Sequence, residues 1–188
     1  MNKKIVFLFI CFLAIVSLYK IIPYESRPAW LGAPHLAIAV FAGAVVANRK
    51  WAFALPLLCL LMSDLIMQVL HTANPAAFQP GFYPDLIWNY VIITGLVAIG
   101  FLVKPSKWTS VAGGLIAAPL VFFLLSNFVV WIYQTGFARG LTLQGLMMTY
   151  VDGVPFIKAT MIGSLLFGGL LFATWALVSR PQIKLAKA

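Results

Sequence analysis

A chain of 188 residues that is 63% hydrophobic and only 9% charged, with a mean hydropathy of +1.00, holds more apolar surface than a soluble domain of this length can bury. Its formal charge of +9 comes from thirteen basic residues spread in ones and twos between apolar runs. No basic stripe builds up, which argues against a nucleic-acid partner and for membrane flanks, with the lipid bilayer as partner.

The expected fold class is all-α: a polytopic membrane protein of six transmembrane helices in one compact domain over residues 1–188. The first apolar run, about 5–22, follows Asn2-Lys3-Lys4 like a signal peptide, but no convincing small-x-small cleavage site follows, so it is expected as an uncleaved helix. The polar, proline-containing YESRPAW is a connection. The second run, about 33–47, is short and rich in small residues, ends at Asn48-Arg49-Lys50, and could be tilted or partly re-entrant. The third covers about 51–70, before a segment interrupted by Pro75, Pro80, Gly81 and Pro84. The fourth is about 86–103, closed by KPSK, and the fifth about 108–133. A polar loop with Arg139 and Asp152 precedes the sixth, about 158–178, and a basic tail. Cys11 and Cys59 both fall in apolar stretches and read as small buried side chains, not a disulfide.

Six crossings put both termini on one side. That side collects Lys3, Lys4, Arg49, Lys50, Lys104, Lys107, Arg180, Lys184 and Lys187 with no acidic residue. The other carries Lys20, Arg27, Arg139 and Lys158 together with Glu25, Asp85 and Asp152. The positive-inside rule then places both termini in the cytoplasm.

With that orientation LLMSDLIMQVLH, residues 60–71, sets Asp64 in the outer half of the third helix. Gln68 and His71 follow at helical spacing on the same face. A carboxylate facing lipid is costly, so Asp64 should face the protein interior or a wet cavity. Trp88 and Asn89 open the fourth helix at similar depth, and Asn127, Trp131 and Gln134 form a matching face on the fifth beside Ser126. The inner halves of these helices are almost wholly apolar. The candidate substrate-binding residues are therefore Asp64, Gln68, Trp88, Asn89, Ser126, Asn127 and Trp131, with Asp64 and Asn127 expected to share one outward cavity. The plainer alternative makes the same groups structural: Asp64 and Asn127 tie helices together, while Trp88, Trp131 and Tyr133 anchor at the interface.

His35 and His71 lie on different runs, so no metal site is expected, and no cofactor motif is present. Without HExxH, CxxC, GxSxG or Walker sequences, the expectation is a protein that is not an enzyme. Ala39, Gly43 and Ala47 make a small-xxx-small ridge on the second helix, suited to close helix approach by an internal neighbour or another polypeptide.

The stretch PHLAIAVFAGAVVANRKWAFALPLLCLLMSDLIM resembles a hallmark region of a poorly characterised family of small bacterial membrane proteins, with Gly43-Ala44 and Ser63-Asp64 as its paired landmarks. Ser126-Asn127, Trp131, Gly145, Tyr150, Gly153, Pro155 and Phe156 continue the likeness, which covers roughly residues 30–178. That family in turn distantly resembles the substrate-binding (S) components of energy-coupling-factor vitamin transporters. The resemblance implies an outward pocket, a location in the bacterial inner membrane, and docking through Ala39, Gly43 and Ala47 onto a transmembrane coupling subunit driven by ATPases. The expected function is substrate binding for uptake of a small, vitamin-like molecule. A structural or assembly subunit and a small ion-coupled carrier stand as alternatives.

Overall fold

The computed structural model describes residues 3–22, 26, 28 and 31–178. Glu25, Arg27, Arg180, Lys184 and Lys187, which carry part of the charge bias, lie outside the described residues. The described chain is all-helical: α1 (Lys3–Ile21), α2 (His35–Val45), α3 (Arg49–Ala73), α4 (Leu86–Gly95), α5 (Val97–Leu102), α6 (Trp108–Tyr133) and α7 (Leu143–Val178). Helices α3, α6 and α7 are each long and apolar enough to cross a membrane. The others are shorter apolar helices.

Two sequence-based boundaries need correction. The expected sixth helix begins at Leu143, not near Lys158. Gly145, Gly153 and Pro155 fall in the stretch expected as a polar loop, yet the two glycines are buried contacts inside α7 and the proline is carried within it. Thr142 starts the helix by accepting the Gly145 N–H on its hydroxyl at 3.0 Å. The expected fourth helix is divided at Leu96 into α4 and α5.

Helix α2 sits at the centre, with every residue from His35 to Gly43 buried. Its 11 residues reach only about 16 Å at 1.5 Å per residue, roughly half a hydrocarbon layer. The approach to it, around Gly32, is non-helical backbone against the middle of α7: the Gly32 N–H donates to the Ala159 carbonyl at 2.9 Å. A Cβ on Gly163 would stand 2.3 Å from the Gly32 oxygen, so glycine is needed where these backbones touch. On another side Gly43 meets Gly100 of α5, where a Cβ on Gly43 would lie 2.2 Å from the Val97 oxygen. The small residues of α2 are thus spent on internal contacts. Phe41 completes the core, with edge-on contacts to Phe12 of α1 at 5.7 Å and Phe172 of α7 at 5.0 Å.

Prolines within α3, α6 and α7 are Pro56, Pro119 and Pro155. A proline frees the carbonyl four residues earlier. For Pro119 that carbonyl belongs to Leu115, and Ser164 of α7 donates its hydroxyl to it at 2.7 Å. One hydrogen bond therefore repairs α6 and fixes its antiparallel register against α7. The same register brings Asn127 opposite Gly153.

Candidate functional site

The polar residues gather at one end of the bundle, where α1 and α3 finish, α4 begins and α6 reaches Tyr133. They form two separate groups.

Asp64 belongs to the first. It is 3% exposed, and Lys20 from α1 forms an ion pair with its Oδ1. Tyr90 from α4 donates its phenol to Oδ2 at 2.6 Å. Both carboxylate oxygens are thus engaged by protein partners from two other helices. A buried carboxylate needs such partners, and their removal would leave an uncompensated charge. Gln68, one turn further along, accepts the Gly81 and Phe82 N–H groups at 3.1 and 3.2 Å. His71 Nδ1 meets the Phe78 carbonyl at 2.6 Å. Gly81 lies so close to α3 that a Cβ would stand 1.9 Å from the Asp64 carbonyl oxygen. The 74–85 connection is therefore folded back onto α3, and Gln68 and His71 hold it there.

Asn89 donates to the Tyr83 hydroxyl at 3.0 Å. Burial pushes the Tyr83 phenol above its ordinary pKa; the Asn89 bond opposes that rise and the Asp64 charge adds to it. Trp88 packs against Tyr133 with ring centroids 5.7 Å apart, linking the start of α4 to the end of α6.

The second group surrounds a cavity of about 310 Å³ between α6 and α7, roofed by the 134–142 connection. Ser126, Asn127 and Trp131 line it from α6 with Phe122 and Phe123. Thr149, Asp152, Gly153, Phe156 and Thr160 face them from α7. Asp64, Gln68, Trp88 and Asn89 are not among its walls. The expectation of one cavity shared by Asp64 and Asn127 is corrected accordingly: the Asp64 carboxylate is closed off by Lys20 and Tyr90.

Each wall has a local cause. Asn127 donates to the Phe123 carbonyl at 2.8 Å, which orients its amide across the helix interface. Gly153 leaves room for it, since a Cβ there would come within 2.4 Å of the Asn127 Oδ1. The roof turns sharply, with positive φ at Gln134, Gly136, Ala138 and Gly140. Trp131 Nε1 donates to the Gly140 carbonyl at 3.0 Å, and the Gln134 side chain accepts the Gly140 N–H at 2.7 Å. Arg139 grips Asp152 with two bonds of 2.8 and 2.9 Å. That bidentate carboxylate holds the guanidinium above its ordinary pKa. The cavity can accept a mostly apolar, flat group among aromatic rings, with Asn127 Oδ1 and the hydroxyls as acceptors.

The expected docking ridge is enclosed at two of its three residues. Ala39 and Gly43 are buried, and Ala47 is exposed beyond the end of α2. No cluster of metal-binding side chains occurs among the described residues.

The model of a protein family matches residues 1–186. The chain belongs to DUF6580, a family of unknown function. No curated protein and no solved structure matches it. Membership of DUF6580 therefore assigns no chemistry, and the geometry has to carry the functional reading.

Sequence reasoning missed Lys20 and Tyr90 as partners of Asp64. It also missed the α7 wall of the cavity. Lys20 was detectable as a lone cation at the end of an apolar run facing a membrane-depth aspartate. The α7 wall was hidden by treating residues up to 157 as a loop. Helical spacing of Thr149, Gly153, Phe156 and Thr160 was its available signal.

Proposed function

We propose that this chain is an integral membrane protein that binds a small, largely apolar molecule in the α6–α7 cavity and serves its uptake across the inner membrane. In this reading the chain crosses six times with both termini cytoplasmic. The return after α1 uses the non-helical approach near Gly32 plus the short α2, and non-helical backbone is tolerated at depth where protein surrounds it. The cavity then lies in the outer half of the bilayer. The observation that carries the reading is the cavity itself: aromatic walls, a few oriented polar groups, and a roof tied down by Arg139 and Asp152.

The likeness to transporter S components remains part of this proposal. Docking through Ala39, Gly43 and Ala47 does not, because two of the three are enclosed. No catalytic step is assigned to the site.

The test is native mass spectrometry of the gently purified protein beside a cavity-filling variant, Thr160→Phe. A bound small molecule in the parent that is lost in the variant, with both proteins equally folded, supports the reading. Equal retention by both places the ligand elsewhere and ends it. A ligand-free parent favours the assembly-subunit alternative, for which the Lys20–Asp64–Tyr90 tie is the specific support: Asp64 is already occupied by its own protein.

A further inference from the structure

Arg139 grips Asp152 with one edge only. The contact is side-on: Nε donates to Oδ2 at 2.8 Å and Nη2 to Oδ1 at 2.9 Å. A guanidinium carries five N–H donors in one plane, so this pairing leaves an end edge made of Nη1 and the second Nη2 hydrogen. The plane is held by the Asp152 carboxylate and by the Phe137 ring, whose centroid lies 5.2 Å from the guanidinium carbon. The side chain is nevertheless 36% exposed. Arg139 is thus a positioned cation with part of its donor fork turned to open space.

The walls beside it differ in chemistry. Arg139 borders both the α6–α7 cavity and a second space of about 390 Å³. The second space shares Phe137 and Ala138 with the first and reaches Thr142 and Gln144 at the start of α7; Arg139 is its one charged wall. Inside the α6–α7 cavity, Trp131, Thr149 and Thr160 spend their donors on the carbonyls of Gly140, Gly145 and Phe156. They meet a ligand as ring surface or as hydroxyl acceptors. Asn127 and Arg139 face consecutive residues of α7, Gly153 and Asp152. Polar recognition therefore gathers beneath the roof, and the depth around Phe122 and Phe156 is left to an apolar body.

We propose that the ligand of the α6–α7 cavity is an amphipathic organic acid, with its anion on the free end edge of Arg139 and its flat apolar body among the aromatic walls. This inference rests on the binding reading above and adds the sign of the ligand's charge. An acid meets parallel N–H donors whose plane is already fixed, the arrangement that favours a carboxylate. A basic group would have to approach Asp152 oxygens that the guanidinium already holds at 2.8 and 2.9 Å, and would face a like charge there. A neutral ligand gains nothing from that charge.

The test is equilibrium dialysis of three shape-matched probes, naphthylacetate, its neutral amide and naphthylethylamine, against the full chain in lipid nanodiscs, with empty nanodiscs subtracted. The acid should bind the parent about tenfold or more tighter than the amide, the scale of one charge-assisted hydrogen bond. Thr160→Phe should weaken acid and amide together, which locates both in the cavity. Arg139→Gln should bring the acid down to the amide's affinity and leave the amide unchanged. Asp152→Asn cuts the same tie to the roof but removes a negative charge, so acid binding should hold or rise. A fall there as large as in Arg139→Gln means that the roof matters and not the cation, and overturns the proposal. Equal binding of acid and amide, or a preference for the amine, also overturns it, and leaves the cavity reading in place where Thr160→Phe still weakens the probes. Absence of binding by all three overturns it as well, while native mass spectrometry decides the cavity reading separately. The comparison of probes on the parent needs no variant, so it decides even where Arg139→Gln fails to fold.

Discussion

Asp64 and Lys20 are paired across α3 and α1, and Tyr90 of α4 closes the other side of the carboxylate. Three helices are therefore held by one charge. Asp64→Asn keeps the shape and leaves the Lys20 ammonium, whose side chain is 17% exposed, without its counter-charge. The expected loss of stability is about 3 kcal/mol, read by reversible unfolding in mixed detergent. The paired replacement Lys20→Met with Asp64→Leu should recover most of it, because an apolar substitute for a buried pair is close to neutral. Unchanged stability in Asp64→Asn, with loss of a bound ligand, would return Asp64 to the binding site.

Where α2 crosses α5, the backbones of Gly43 and Gly100 meet. A Cβ on Gly100 would stand 2.3 Å from the Val40 oxygen, and both obstacles are main chain that cannot rotate away. Gly43→Ala and Gly100→Ala should each cost about 1–3 kcal/mol through overpacking. Gly169 of α7 is the contrasting case, with nothing within 4 Å of an added Cβ. There alanine should be neutral or stabilise by up to about 0.8 kcal/mol through helix propensity. Thermal unfolding of the three variants distinguishes them; equal midpoints would mean that α2 is less closely enclosed than described.

Gln68 holds the 74–85 connection through two backbone N–H groups. Gln68→Ala should release both, and a net hydrogen-bond contribution of about 1 kcal/mol corresponds to a several-fold rise in local opening. Hydrogen exchange at Gly81 and Phe82 is the readout, with α6 amides unchanged. If exchange instead rises throughout the chain, the contact supports the global fold and not only this connection.

The legible part of this protein was its apolar segmentation. Trp108 and Tyr133 were expected as the ends of a helix and are the ends of α6, because the run is apolar and long enough to carry Pro119 within it and polar sequence flanks it. The shared face of Asn127 and Trp131, which both line the α6–α7 cavity, followed from the same periodicity. What could not be read was pairing between distant segments. Gly153 lies in the stretch expected as a loop until Asn127 is found filling the space above it. Lys20 reads as a flank until Asp64 is found beneath it. A single sequence carries the spacing within a helix but not which helices face one another, and both the Asp64 tie and the cavity depend on that.

A cysteine in place of Ser126 should report directly on the cavity. Ser126 lines it, and its hydroxyl makes only a long 3.5 Å approach to the Phe123 carbonyl, so the replacement disturbs little. The two native cysteines provide a background that can be removed by Cys11→Ala and Cys59→Ala, as both are free thiols. In that background Ser126→Cys should react with a small, uncharged thiol reagent added from the outer side. Thr160→Phe, which fills the opposite wall, should slow the reaction. Arg139→Ala should speed it, because the bidentate bond to Asp152 ties the roof to α7. The two shifts have opposite sign, so a general loosening of the fold cannot imitate both. No reaction at Ser126→Cys, with or without Arg139→Ala, would mean that the space between α6 and α7 is closed to solutes, and the small-molecule reading would fall.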